Sequence, residues 1–223
     1  MKAAKPSAQR KPQGGRPPGR PAGRSLRDGV LADRETLLAA AERLVRREGP
    51  DVSLDAIATE AGVTKPILYR GVGDRHALMY ALAERLTARM SEDVEGEVAA
   101  ASSAEDALRR LVAGYLDHAK AERNLYLYVT AGVIGDDRLR QSLLLADGTA
   151  RQFAASIAAY RSARGADPSV ATVWSYGLVG ALHYVTLWWL RDDSTDQEAA
   201  TEQLTALLWS GVKVERADSQ NSA

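Results

Sequence analysis

Thr64, Lys65, Pro66, Tyr69 and Arg70 fall within one stretch of seven residues, with Arg75 close behind. A hydroxyl, an ammonium, a phenol and guanidinium groups in that order make a surface that donates hydrogen bonds and carries positive charge. They do not make a nucleophile–base pair or a metal-binding set. The chemistry they suit is contact with a nucleic acid. Lys65 can donate to guanine O6 or N7, and Ile67 can meet a thymine methyl if it points outward. Tyr69, Arg70 and Arg75 are placed for phosphate oxygens, and Ser53, at the start of the preceding helix, for another. The only histidines, His76, His118 and His183, are too far apart for metal-ligand spacing, and there is no cysteine. Neither a nucleophile elbow nor a phosphate loop occurs. No metal, no cofactor and no enzymatic activity are expected.

The elements that must hold these residues can be read from caps and spacing. A first helix is expected over about 33–48, with Leu37, Ala41, Leu44 and Val45 on one face and Gly49-Pro50 ending it. Ser53 is an N-cap for a second helix that turns Leu54, Ile57, Ala58 and Ala61 inward. Gly62 allows a tight turn, Val63 points inward, Thr64 caps a third helix, and Pro66 sits in its first turn, where a missing N–H is harmless. In a helix-turn-helix the second helix of the pair enters the major groove while the first crosses the backbone. The alternative is a three-helix unit that merely packs, with Tyr69 in the core and Lys65 a solvated charge.

The first-helix pattern RETLLAAAERLVRREG, then SLDAIATEAGVTKPILYR, then GDRHALMYAL resembles the TetR family of bacterial transcriptional regulators. The likeness is in spacing over residues 34–82 and only architectural beyond residue 90. It implies a DNA-binding head, a variable helical body that takes a small molecule among its fourth to eighth helices, and a dimer formed by the last two long helices. Two positions depart from the pattern. Val72 follows Gly71 where the family usually has an aromatic, which leaves the junction of head and body less filled. Arg75 stands where a lysine is usual and keeps the charge.

Asp74 caps a long fourth helix with Leu78, Leu82, Leu86 and Met90 at every fourth position. Further helices are expected over about 104–121, 125–133, 137–164, 168–190 and 195–214, with no alternating pattern and no repeat. The fold class is therefore all-α: an N-terminal three-helix helix-turn-helix domain followed by a helical regulatory domain, about nine helices in total. The expected division is a disordered basic arm over 1–27, the DNA-binding domain over 28–80, the ligand-binding and dimerisation domain over 81–215, and a disordered tail over 216–223.

The formal charge of zero hides a segregation. Residues 1–27 hold eight basic residues and no acid, which leaves 21 basic residues against 29 acidic ones in the remainder. An anionic partner is thus expected at one end. Arg16 and Arg20 lie in two Gly-Arg-Pro steps. Two readings are open: insertion into the narrow minor groove of A·T-rich DNA, or a solvated tail adding only counterion release. Residues 170–190 carry no charge and approach the length of a membrane span. Thr172, Ser175, His183 and Thr186 interrupt the run, and a buried core or dimer helix reads the same way, so no membrane is expected.

In the body, Leu86, Met90, Leu111, Tyr115, Tyr126, Phe153 and Trp174 are candidates for the ligand pocket that the resemblance implies, with His118 as its polar handle. Such a pocket suits an apolar or aromatic ligand. Trp188, Trp189, Leu204, Leu207 and Leu208 are candidates for a dimer seam, apolar and poor in charge. A two-fold dimer implies a palindromic operator. The leading expectation is a cytoplasmic, dimeric repressor released from double-stranded DNA by a small effector. The competing ones are a DNA-organising protein dominated by its arm and without an effector, an enzyme, and a membrane-anchored regulator.

Overall fold

The computed structural model describes residues 33–130, 136–192 and 194–212, of which 136–146 and 212 are described by backbone course alone. Among them are nine α-helices and no strand: α1 Arg34–Glu48, α2 Leu54–Glu60, α3 Lys65–Val72, α4 Arg75–Ala99, α5 Ala104–Ala121, α6 Arg123–Thr130, α7 Asp136–Ser162, α8 Ala171–Trp189 and α9 Gln197–Val212. The helix expected to begin at Pro168 starts as a separate 3-10 turn, Pro168–Val170, whose Ser169 N–H is taken by the Asp167 carboxylate.

Local chemistry accounts for the boundaries. Ser53 Oγ accepts the Ala56 N–H at 3.1 Å and Asp74 Oδ1 accepts the Ala77 N–H at 2.8 Å, so α2 and α4 start at capped turns. Gly62, at the turn between α2 and α3, has φ +68°, a region that residues with a Cβ rarely occupy. Gly73 ends α3 at φ +83°, and a Cβ there would come within 2.7 Å of Ala77 Cβ. Glycine is required at that junction twice over, by backbone and by space.

The three-helix unit closes over Leu37, Leu38, Ala41, Leu44, Val45, Ile57, Leu68 and Val72, all buried. Val72 therefore fills a core position at the end of α3. The same core continues without a break through Leu78, Leu82, Leu86 and Met90 of α4 into Val112 and Leu116 of α5 and Leu125 of α6. The 78–82–86–90 spacing thus does mark the buried stripe of α4. Beyond it, α4 packs on α5, α5 on α9, α7 on α8, and α6 bridges α1 and α4.

Candidate functional site

Helix α3 buries Leu68 and Val72 and turns Lys65, Pro66, Tyr69 and Arg70 to solvent, with Thr64 exposed just before it. Tyr69 is 41% exposed, so it is not a core aromatic, whereas Ile67 is half-buried. Thr64 occupies the N-cap position, but its hydroxyl makes no hydrogen bond to α3. The reason is local. Pro66 has no N–H to offer, and the Ile67 N–H already bonds to the Thr64 carbonyl at 2.9 Å. The capping role expected for the Thr64 side chain is thus absent, and its hydroxyl is left on the surface beside Lys65.

Lys65 Nζ lies 3.0 Å from Asp55 Oδ1, which joins the first turn of α3 to the first turn of α2. The hydrogen bond to Asp55 raises the ammonium pKa further above its ordinary range. Both side chains are exposed, so the pair holds the two helices only weakly. Its larger effect is on charge, because a carboxylate sits on the same face as the cation. Ser53 keeps its hydroxyl hydrogen while Oγ caps α2. Arg75, in the first turn of α4, places its guanidinium carbon 5.5 Å from the centroid of the Tyr128 ring. Arg16 and Arg20 lie outside the described residues.

A cavity of about 610 Å³ opens behind this unit, walled by α4, α5, α6, α7, α8 and Trp209 of α9. Six of the candidates meet in it: Leu86, Met90, Leu111, Tyr115, Tyr126 and Phe153. His118 and Trp174 are not part of its wall. His118 turns to α4, where Nδ1 lies 3.0 Å from Asp93 Oδ2. Trp174 lies under the Arg161 guanidinium, 4.5 Å from carbon to ring centroid. The polar group that sequence reasoning assigned to His118 is supplied by His183 of α8, 57 residues beyond its partner Tyr126. Tyr126 Oη is 3.1 Å from His183 Nδ1 and 3.1 Å from Tyr115 Oη. The Tyr115 and Tyr126 rings meet edge to face. Burial holds both phenols well above the ordinary tyrosine range and pushes the His183 imidazole below its ordinary value of 6.5. All three groups are neutral at neutral pH.

The last helices separate the dimer candidates into two sets. Trp188 is 50% and Leu207 69% exposed, and Val173 and Tyr184 share the open face of α8 with Gly177 and Gly180. Trp189 and Leu204 are buried inside the chain and Leu208 is packed against the same core. Trp189 Nε1 donates to the Thr195 carbonyl at 3.0 Å. Adjacent residues on a helix are about 100° apart, so one of the two tryptophans faces α5 and α9 and the other faces away. Trp189 and Leu204 are corrected accordingly from seam to core. The segment Pro168–Trp189 is long and apolar enough to cross a membrane, the one such segment among the described residues, and 28% of its apolar window is buried within the chain.

Residues 37–82 match the family model for bacterial regulatory proteins of the tetR family, and residues 112–223 match that for a tetracyclin repressor-like C-terminal domain. The chain belongs to the TetR family. It is 28% identical over 185 residues to an uncharacterised HTH-type transcriptional regulator found in two strains of Mycobacterium tuberculosis, covering 80% of this chain and 76% of the relative. Among solved structures it is similar to Thermus thermophilus FadR, a TetR-family repressor in complex with lauroyl-CoA (TM-score 0.68, 18% identity, 85% of this chain and 100% of that one). It is also similar to a fatty acid degradation regulator, FadR, from Bacillus halodurans (TM-score 0.63, 16% identity, 80% and 99%). AibR in complex with isovaleryl coenzyme A and operator DNA is a further likeness (TM-score 0.54, 17% identity, 78% and 96%). At these identities the structural likeness bears on the fold.

In this TetR-family regulator the cavity and the DNA-facing unit share α6. Tyr126 lines the cavity, and Tyr128, two residues on, is buried beneath Arg75. The C-terminal end of α1 is tied to the start of α6 as well. Arg46 Nε and Nη2 donate to the two Glu122 oxygens at 2.8 and 2.9 Å, and Asn124 Nδ2 donates to the Arg46 carbonyl at 2.9 Å. Glu42, buried in α1, accepts from Arg46 and pairs with Arg85 and Arg89 of α4 at 3.1 and 3.3 Å. Sequence reasoning missed Glu42, the pairing of His183 with Tyr126, and the place of Tyr128 under Arg75. The only signal for Glu42 was an acid inside the apolar stripe of α1.

Proposed function

We propose that this regulator is a dimeric repressor that reads a palindromic operator through α3 and is released by a small, largely apolar effector in the cavity. The division of labour follows the expected one, with residues 28–80 contacting DNA and 81–215 sensing and dimerising. The observation that carries the reading is α6, a helix of eight residues that contributes Tyr126 to the cavity wall and Tyr128 to the platform under Arg75. A ligand that prefers one placement of α6 biases the placement of Arg75 and α4, and so lowers operator affinity by its differential affinity for the two states.

Several features support the remaining parts. Thr64, Lys65, Pro66, Tyr69 and Arg70 are exposed at the start and along α3, and Ser53 and Arg75 are exposed at the starts of α2 and α4. The uncovered apolar face of α8, continued by Leu207 of α9, fits a second copy of the chain better than a lipid bilayer, since the hydroxyls of exposed Thr172, Tyr176 and Tyr184 are spread along the segment. In the proposed reading Trp188, Leu207 and Leu208 form the seam and the protein acts in the cytoplasm. The similar structures with bound lauroyl-CoA and isovaleryl coenzyme A make an acyl group one chemistry the cavity suits.

The test is selection of genomic fragments by the full-length protein, followed by binding to the enriched site. A palindromic motif bound by two chains, with affinity reduced by a cavity ligand, is expected. Enrichment without a motif, or an operator affinity no ligand alters, favours a DNA-organising protein without an effector.

A further inference from the structure

We propose that the cavity takes an uncharged, largely apolar molecule with one hydrogen-bonding oxygen, and that Tyr115, Tyr126 and His183 hold that oxygen. The proposal rests on the reading of the cavity as the effector site and names the ligand class. Leu86, Met90, Leu111, Phe153, Leu178 and Leu182 give it an apolar wall. The three polar side chains meet inside that wall as one chain, Tyr115 Oη to Tyr126 Oη to His183 Nδ1, each step 3.1 Å.

Such a chain can run in either direction. With Nδ1 as acceptor, Tyr126 donates to His183 and Tyr115 donates to Tyr126, which leaves His183 Nε2–H as a donor and the Tyr115 oxygen as an acceptor. With the proton on Nδ1 the sequence reverses, which leaves the Tyr115 O–H as a donor and Nε2 as an acceptor. Either way one donor and one acceptor remain for a ligand, which suits a hydroxyl, a ketone, an ester or a thioester. No formal charge accompanies them, because burial keeps the imidazole and both phenols neutral. Among the described residues of the wall there is no lysine or arginine; its basic side chains are the imidazoles of His76 and His183, and its one carboxylate is Glu95. An ionised carboxylate brought among these groups would lose its hydration without gaining a counter-charge.

The full-length protein, titrated at neutral pH with decanol, decanoate and decanoyl-CoA and followed by tryptophan fluorescence, tests this, since Trp209 lines the cavity. Decanol is expected to bind at least about tenfold more tightly than decanoate. Binding of decanoyl-CoA, whose coenzyme carries ionised phosphates, as tightly as decanol overturns the proposal. Its exclusion while decanol binds supports it with a free neutral lipid. Tyr115→Phe, at the free end of the chain, is expected to weaken decanol by about three- to tenfold and to leave chlorodecane, which lacks the oxygen, unchanged. His183→Phe serves the same purpose if the first variant does not fold. Decanoate binding as tightly as decanol overturns the proposal, and so does an equal loss for decanol and chlorodecane. Operator binding separates the two readings. If decanol binds as expected but leaves operator affinity unchanged, the effector reading fails and the ligand class stands. If decanoate binds and releases operator, the reverse holds.

Discussion

The Arg75 guanidinium lies over the ring of Tyr128, 5.5 Å from its centroid, where the first turn of α4 meets α6. Tyr128 is buried, and its hydroxyl has no hydrogen-bond partner among the described residues. The ring serves as a platform, and the oxygen is an unpaired polar atom.

Tyr128→Phe is therefore expected to keep the platform and remove the unpaired oxygen, raising unfolding stability by about 1 kcal/mol. Urea denaturation at constant m-value measures it. A loss of similar size would mean that the hydroxyl has a partner.

Asp55 is paired with Lys65, on the side of α3 proposed to face DNA. Asp55→Asn releases the ammonium and removes an anion from that face. Affinity for any duplex should rise and its salt slope should steepen by about one. Lys65→Ala should weaken specific binding roughly tenfold, because it removes a donor and leaves the carboxylate unpaired. Fluorescence anisotropy across a salt series reads both.

Trp188 and Trp189 should separate association from folding. Trp188→Ala is expected to weaken the dimer in analytical ultracentrifugation with little loss of subunit structure. Trp189→Ala should cost about 3–5 kcal/mol of stability, as loss of a buried tryptophan does. Equal effects of the two would contradict the assignment of one to the seam and the other to the core.

His183 should give a pH signature. Burial lowers its pKa in the folded chain below the ordinary 6.5. Above 6.5 the imidazole is neutral in both folded and unfolded chains and has no effect on the pH dependence. As pH falls through 6.5 the unfolded chain takes up the proton first, so stability declines until the lower folded pKa is reached. The melting temperature should fall over that acid range, and His183→Asn should flatten the part of the decline due to this residue.

Legibility in the sequence tracked how local the cause was. The caps at Ser53 and Asp74, the glycine turn at Gly62 and the 78–82–86–90 stripe are set by neighbours in the chain, and each emerged in place. The exposed face of α3 followed from the same short-range logic. Which side chains meet across the body did not. Tyr126 finds His183 only because α6 and α8 pack around one cavity, and α8 is too uniformly apolar to announce a face. His118 carried the same chemistry at a more familiar spacing and turns instead to Asp93. The Thr64 side-chain cap is absent for a local reason: the Ile67 N–H, three residues on, bonds to the Thr64 carbonyl instead, and Pro66 offers no N–H in its place.

The most direct measurement of the central claim is the ratio of affinities for a selected operator and for random duplex at one salt concentration, in the full-length protein and in Tyr69→Ala. A reader of sequence through α3 should prefer the operator by on the order of a thousandfold or more. In the variant that preference should collapse while random-duplex binding stays nearly unchanged. Equal affinity for the two duplexes, or a preference untouched by Tyr69→Ala, would contradict it.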